Sequence, residues 1–539
     1  MIETHETDVL VVGGGVAGLR AALAARKEGV NVTLVSKGKI GSGSSTAYLD
    51  HLCEFTALGV SLSEGDRLNY EMDLTDFGRK VNDPDLVKYF VNHTQEELDL
   101  LKALELRFAD EHQILPSHRS PRIVKALGDF GTEMLLRLKD EALKEGVEIF
   151  EHSSLYYVER ENFPSACRIV RRLISSGGSE EARLKDIQIR FKSMVMAAGG
   201  GGQIFSLSTN PAGATADGAG FALQLGAQVT NLEFIQYLPL MVEPIEGFYI
   251  ISSVITKGRF FNARGEEFVP RTAGAGQDQE DAVIQGDLLQ QICVWIEKQI
   301  LEGNTAERNA VYWDGRHLLD FIRKKIPHSY EKLLKQGVDL GKDRIKVSVG
   351  CHQMMGGIKI DHTGASSVPG LYAAGESAGG FQGAQRLMGT GVMDGLVFGA
   401  SAGKYAAEFA KSRSVSSARP LQETLTTASA SITREDVLQY KMLLKQTMDK
   451  VLVTKDQIRI EQSLARLDEI RRKIRGMDVR QLPLALRGPF SELQNMLLTA
   501  RAILHLSDQR KETRGSFVRT DYPQEDPAME KGLIYVLKD

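Results

Sequence analysis

Cysteine is scarce in this sequence. Its four residues, at positions 53, 167, 293 and 351, are too few and too scattered for a disulfide framework. No CxxC pair offers a structural zinc or an iron–sulfur ligand set. An excess of either charge is also missing: 66 basic against 70 acidic residues leave a net charge of −4, which argues against a nucleic-acid surface. No apolar run reaches the roughly 18 residues of a membrane span, and the opening MIETHETDVLVV carries acids where a signal peptide needs a basic region. What remains, 42% apolar and 25% charged residues, reads as an ordinary globular balance. At about 150 residues per domain, 539 residues make several structural units.

One residue type is in excess. Glycine numbers 52, nearly a tenth of the chain against about 7% in an average protein. Fourteen of these fall between Gly350 and Gly403, and only four follow residue 425. The first 403 residues alternate short apolar runs with glycine turns, an α/β pattern. The remainder reads as helical. Val437, Tyr440, Leu444, Met448 and Val451 form one apolar stripe behind Thr433, a suitable N-cap. Further helices are expected over Leu464–Ile474 and Ser491–Leu506, and residues 411–430, rich in Ser, Thr and Ala, read as a linker.

The first glycine cluster carries chemistry. Asp8–Val12 reads as a strand, Gly13-Gly14-Gly15-Val16-Ala17-Gly18 follows at once, Leu19–Glu28 reads as a helix, and Val30–Val35 as a second strand. This is the context a dinucleotide fingerprint requires. Gly13 allows the tight turn, Gly15 lets backbone N–H groups approach a pyrophosphate, and Gly18 permits close helix–strand packing. The second strand ends in Ser36-Lys37 rather than the acid that holds a nicotinamide dinucleotide's ribose, which weakens an NAD reading.

Further segments, in order, carry a resemblance. They are Val35-Ser36-Lys37 with the loop Gly41–Tyr48, Ala197-Ala198-Gly199-Gly200 with Thr215-Ala216-Asp217-Gly218, and His352–Gly357 with Gly370–Glu376. Gly383-Ala384-Gln385-Arg386, Leu396–Gly399, Arg510–Gly515 and Arg519–Pro523 complete the set. Together they resemble the flavoprotein family of succinate dehydrogenase, fumarate reductase and L-aspartate oxidase over nearly the whole chain. The resemblance implies a Rossmann-like FAD-binding domain in two parts, an inserted α+β capping domain and a C-terminal helical domain. The boundaries read as 1–242 and 350–410 for the FAD-binding domain, 243–349 for the cap and 431–539 for the helical domain. Gly13, Gly15, Gly18, Ser36, Lys37, Ser44, Ser45, Thr46, Gly199, Gly200, Asp217 and Glu376 are the implied FAD contacts. No histidine stands near Ser44-Ser45, where the family attaches FAD covalently, and His51 lies six residues beyond Ser45, so dissociable FAD is expected.

The implied activity is hydride exchange between flavin N5 and a C–C or C=C bond near a carboxylate or acyl group. His352 would donate a hydrogen bond to substrate and Arg386 would pair with a carboxylate. Other family positions are altered. The substrate histidine and threonine are Leu238 and Leu240, the proton-delivering arginine is Gly286, and Val254–Gly258 has lost an acid. These changes argue against plain succinate or fumarate, and for a larger substrate with one anionic group and an apolar body. Lys257, Arg259, Arg264 and Arg271 are candidates to restore a cation from the cap, and Tyr237 is a candidate acid. The resemblance leaves two alternatives open: an amine oxidase like L-aspartate oxidase, or an electron-transfer subunit with a degenerate substrate site. It also implies an iron–sulfur partner subunit, and a cytoplasmic place that is membrane-peripheral only through a partner.

Overall fold

The computed structural model describes residues 2–48, 54–56, 63–114, 118–128, 130–160, 164–173, 183–270, 282–413 and 432–537. A five-stranded parallel sheet stands at its centre, ordered Leu371–Ala373, Ser193–Met196, Val9–Val12, Val32–Val35 and Glu148–Phe150. Val9–Val12 and Val32–Val35 are buried at every position. Both faces are covered, so these strands read as continuous apolar runs rather than alternating ones.

The helix after the first strand, Val16–Lys27, packs along the helix Thr390–Lys411. Glycine makes that approach feasible. A Cβ at Gly399 would sit 2.7 Å from the Ala17 carbonyl oxygen, and one at Gly403 would sit 2.1 Å from that of Ala21. With Gly395 they form a ridge at four-residue spacing, which is why late glycines are needed by an early helix.

A second, antiparallel sheet orders Ile235–Met241, Ile345–Met354, Val311–Asp314 and Arg259–Phe261. It carries the inserted segment, with the helices Ala282–Leu301, Leu319–Lys325 and Pro327–Lys335. C-terminal helices run over Arg434–Met448, Gln457–Ile474 and Leu484–Gln509. Thr433 caps the first in a reciprocal capping box with Asp436, as its sequence predicts. The other two begin seven residues earlier than expected, because the segments ahead of Leu464 and Ser491 pack without breaking the helix, even across Pro489. Val437, Leu444 and Met448 share one apolar core with Leu240, Trp313 and Val347 of the second sheet. The linker expected over residues 411–430 lies mostly outside the described residues. No helix among the described residues is long and apolar enough to cross a membrane.

Candidate active site

A cavity of about 1460 Å³ runs from the first strand–helix turn to the second sheet. A pocket for one small molecule occupies roughly 300–1,000 Å³, so this one has room for a dinucleotide and a further ligand. At one end the backbone of Gly13 has φ +124°, and a Cβ there would sit 2.0 Å from the Ala197 carbonyl oxygen. A Cβ at Gly18 would collide with the Gly13 carbonyl oxygen at 1.9 Å. Gly15 faces open cavity instead, its nearest atom being Ser44 Cβ at 3.8 Å. It caps the helix Val16–Lys27 with no side chain over the first-turn N–H groups. Those donors are free for an anion, and the helix end favours negative charge. Ser44 Oγ is buried without a partner among the described residues and lines the same cavity, with Ser45, Thr46, Gly199 and Gly200. An open glycine turn, an orphaned hydroxyl and uncapped N–H groups fit a pyrophosphate-bearing cofactor.

Ser36 and Lys37 also line the cavity, but both are engaged within the protein. Ser36 Oγ donates to the Gly38 carbonyl at 2.9 Å. Lys37 Nζ lies 2.6 Å from Asp217 and 2.9 Å from Glu492. Burial would lower this ammonium, yet the two carboxylates outweigh it and hold Lys37 above its ordinary range. Glu492 and Asn495, from the helix Leu484–Gln509, complete the cluster: Lys441 pairs with Glu492 at 2.6 Å, and Asn495 donates to Asp217 at 3.1 Å. Sequence reading missed Glu492, which no motif marks. Glu376 accepts from the Met354 N–H at 2.9 Å, and burial pushes its carboxyl up to about 7.

At the other end His352 and Arg386 meet. Arg386 Nη2 is 3.4 Å from His352 Nε2 and 3.4 Å from Gln236 Oε1. A guanidinium only donates, so His352 Nε2 accepts and its Nδ1–H donates to Thr209 Oγ1 at 2.9 Å. Burial, with the Arg386 charge behind it, lowers this imidazole to about 3, so it is neutral at pH 7. Arg386 Nε is buried without a partner, and no carboxylate among the described residues pairs with the guanidinium. The Arg386 loop is held by His118, whose Nε2 lies 3.2 Å from the Met388 carbonyl, while Arg122 donates to its Nδ1 at 3.1 Å.

Of the two leucines expected at the substrate wall, Leu238 lines the cavity and Leu240 does not. The pairing steps from Gln236 opposite Gln353 to Tyr237 opposite Cys351, which leaves His352 as the extra residue of a bulge in the facing strand; Gln236, Tyr237 and Leu238 line the cavity, and Leu240 packs toward Gly350. Tyr237 Oη is buried with no hydrogen-bond partner among the described residues. Gly286 lies in the helix Ala282–Leu301, which contributes Leu289 and Gln290 to the lining. Three of the four cap cations expected to replace the arginine are engaged elsewhere. Lys257 lies over Phe321, Arg259 pairs with Glu267, Arg264 bonds Asn304, and Arg271 falls outside the described residues. The cap cations that do line the cavity are Lys324 and Lys325. Tyr249 was also unforeseen: its ring lies 5.9 Å from that of His352, and its hydroxyl is 2.6 Å from Ser252 Oγ.

Comparison with known proteins gives the chain's family. The family described as FAD binding domain matches residues 8–392, and that described as Fumarate reductase flavoprotein C-term matches residues 441–534. The chain is 27% identical to one subunit of the fumarate reductase (CoM/CoB) of Methanothermobacter marburgensis, over 99% of this chain and 97% of that protein. It is 29% identical to an L-aspartate oxidase of Clostridium perfringens, over 72% of this chain and 84% of that one. Among solved structures, Mycobacterium smegmatis Sdh1 in complex with UQ1 superposes with a TM-score of 0.82 at 25% identity, covering 100% of this chain and 93% of that one.

Proposed function

This chain belongs to the flavoprotein family of succinate dehydrogenase, fumarate reductase and L-aspartate oxidase, a family of FAD-dependent oxidoreductases, and from that premise we propose that it acts on an acid or acyl compound other than plain succinate or fumarate. The observation that carries this is Arg386, a guanidinium without a carboxylate partner, aimed into a cavity whose neighbouring wall is Tyr237 and Leu238. FAD, when bound, supplies hydride exchange at its ring. Gly13, Gly15 and the first turn of the following helix would take its pyrophosphate, with Ser44, Ser45, Thr46, Gly199, Gly200 and Glu376 along its length. Asp217 acts on the cofactor side through Lys37. Dissociable FAD remains the proposed reading from the sequence around Ser44-Ser45, and His51, the histidine weighed there, lies outside the described residues.

The chain's own residues then divide the work. Arg386 binds the substrate carboxylate in a charge-assisted pair. Neutral His352, fixed by Thr209 in the tautomer whose Nε2 carries no proton, keeps that end of the cavity free of a second positive charge, and its Nε2 accepts from Arg386 and so orients the guanidinium, instead of donating to substrate as its motif suggested. Tyr249 Oη holds the proton for the carbon next to the reacting one. Burial pushes this phenol up to about 12, so it stays protonated, and Ser252 Oγ orients it. The cap excludes water from these groups. Electrons reach or leave the site through a partner, for which an iron–sulfur subunit is the proposed one; among the described residues no group of His, Cys, Asp and Glu could hold a metal in the chain itself.

The test is a dye-linked assay. Holoenzyme given reduced viologen and an unsaturated monocarboxylate or its thioester oxidises the dye faster than with fumarate. Equal or faster turnover of fumarate overturns the reading. The L-aspartate oxidases among the relatives favour a second reading, an amino-acid oxidase, which would release peroxide from L-aspartate under air.

A further inference from the structure

If Arg386 anchors a carboxylate, as proposed above, the remaining charges of the cavity say what else the substrate carries. Five cations line it without a carboxylate partner among the described residues: Lys39, Lys125, Lys324, Lys325 and Arg386. The lining acids do not answer them. Asp217 and Glu492 are taken by Lys37, and Glu376 is half-neutral near pH 7. A dinucleotide's pyrophosphate brings two negative charges, which leaves three of the five cations unanswered.

Lys324 and Lys325 stand apart from the cofactor cradle. They end the helix Leu319–Lys325, which packs on the short helix Ser252–Ile255. Ser252 touches Tyr249, the Tyr249 ring lies 5.9 Å from the His352 ring, and His352 meets Arg386. The contacts from Arg386 to the lysine pair therefore run through an imidazole, a phenol and one helical turn. That path holds no charged group, and Leu238 and Leu289 add apolar surface to the same cavity. Two neighbouring ammonium groups at a cavity mouth repel each other and draw an anion inward.

We infer that the substrate is elongated and doubly anionic, with its carboxylate at Arg386, an apolar body along Tyr249, Leu238 and Leu289, and a second anionic group at Lys324 and Lys325. This extends the single-anion substrate argued from sequence, and because His352, Tyr249 and the helix Ser252–Ile255 stand between the two cationic ends, it calls for a body longer than a four-carbon diacid. Both lysines are exposed. Each pairing is therefore worth a fraction of what a buried pair is worth and weakens with salt. Together they give about a tenfold preference for the second anion.

Calorimetric titration of the holoenzyme tests this with octanedioate, octanoate and butanedioate, in the wild type, K324Q/K325Q and R386Q. The expected result is a roughly tenfold tighter fit of octanedioate than of octanoate or butanedioate. That advantage disappears in K324Q/K325Q and shrinks in high salt, while octanoate affinity is unchanged by the lysine substitutions. R386Q weakens all three acids. An octanedioate advantage that survives in K324Q/K325Q overturns the inference, as does butanedioate binding as tightly as octanedioate. If R386Q leaves every acid unchanged, the carboxylate anchor itself is refuted and this inference falls with it.

Discussion

Replacing Arg386 by methionine separates a functional cation from a structural one. The side chain's contacts in the structure are two long hydrogen bonds, at 3.4 Å to Gln236 and 3.4 Å to His352, while its Nε has no partner. Losing two weak bonds costs about 1 kcal/mol. Against that, the burial that lowers this guanidinium is relieved, and Glu376 and Asp394, the buried carboxyls that feel its charge, already sit at about 7 and can take up a proton when it goes. The two effects oppose each other, so R386M should melt within a few degrees of the wild type, or higher. Substrate binding has no such compensation. A charged hydrogen bond is worth about 1.5–3 kcal/mol, or roughly a ten- to hundredfold loss of affinity for the acid. The assay pairs a melting curve of the holoenzyme with a titration of the acid followed through the flavin spectrum. A variant that melts far lower yet binds acid normally would refute the reasoning, because Arg386 would then be part of the scaffold.

Other perturbations read other parts of the account. Y249F should lower turnover by about 10²–10⁴ if the phenol delivers the proton, with acid affinity changed less than about threefold; a small change in turnover excludes that role. G403V places a side chain where a Cβ already meets the Ala21 carbonyl at 2.1 Å, so it should displace the helix Val16–Lys27, destabilise by about 1–3 kcal/mol or more, and lower the FAD content of purified protein. Lys455 is fully buried, and burial lowers its ammonium to about 7. Between about pH 7 and the ordinary lysine value near 10.4 the unfolded chain binds the extra proton, so stability rises with pH by up to about 1.4 kcal/mol per unit. Below about pH 7 the cost is constant, and K455M should remove that slope in denaturant titrations.

The dinucleotide end was legible because its requirements are local. The turn at Gly13 and the contact at Gly18 arise within one strand–turn–helix unit, so spacing alone specifies them. Thr433 was legible for the same reason, since a capping box closes over three residues. The substrate end depends on tertiary placement. Leu238 and Leu240 share a face of one strand, yet Leu238 lines the cavity and Leu240 packs toward Gly350, while His352 sits at a bulge in the facing strand that no local motif announces. Lys324 and Lys325 sit in an undistinguished basic turn, and their position depends on how Leu319–Lys325 rests on Ser252–Ile255. Glu492 lies some 450 residues from the Lys37 it neutralises, and nothing in a helix face announces such a partner.

The central claim is that this member of the family keeps the carboxylate anchor and has changed what lies beyond it. The most direct measurement is anaerobic. Holoenzyme is photoreduced, and the return of its flavin absorbance is timed after mixing with fumarate or with a medium-chain 2-enoic acid or its thioester. Rapid return is expected with the longer compound and slow return with fumarate, both abolished in R386Q. Rapid return with fumarate, or return that ignores Arg386, would contradict the claim.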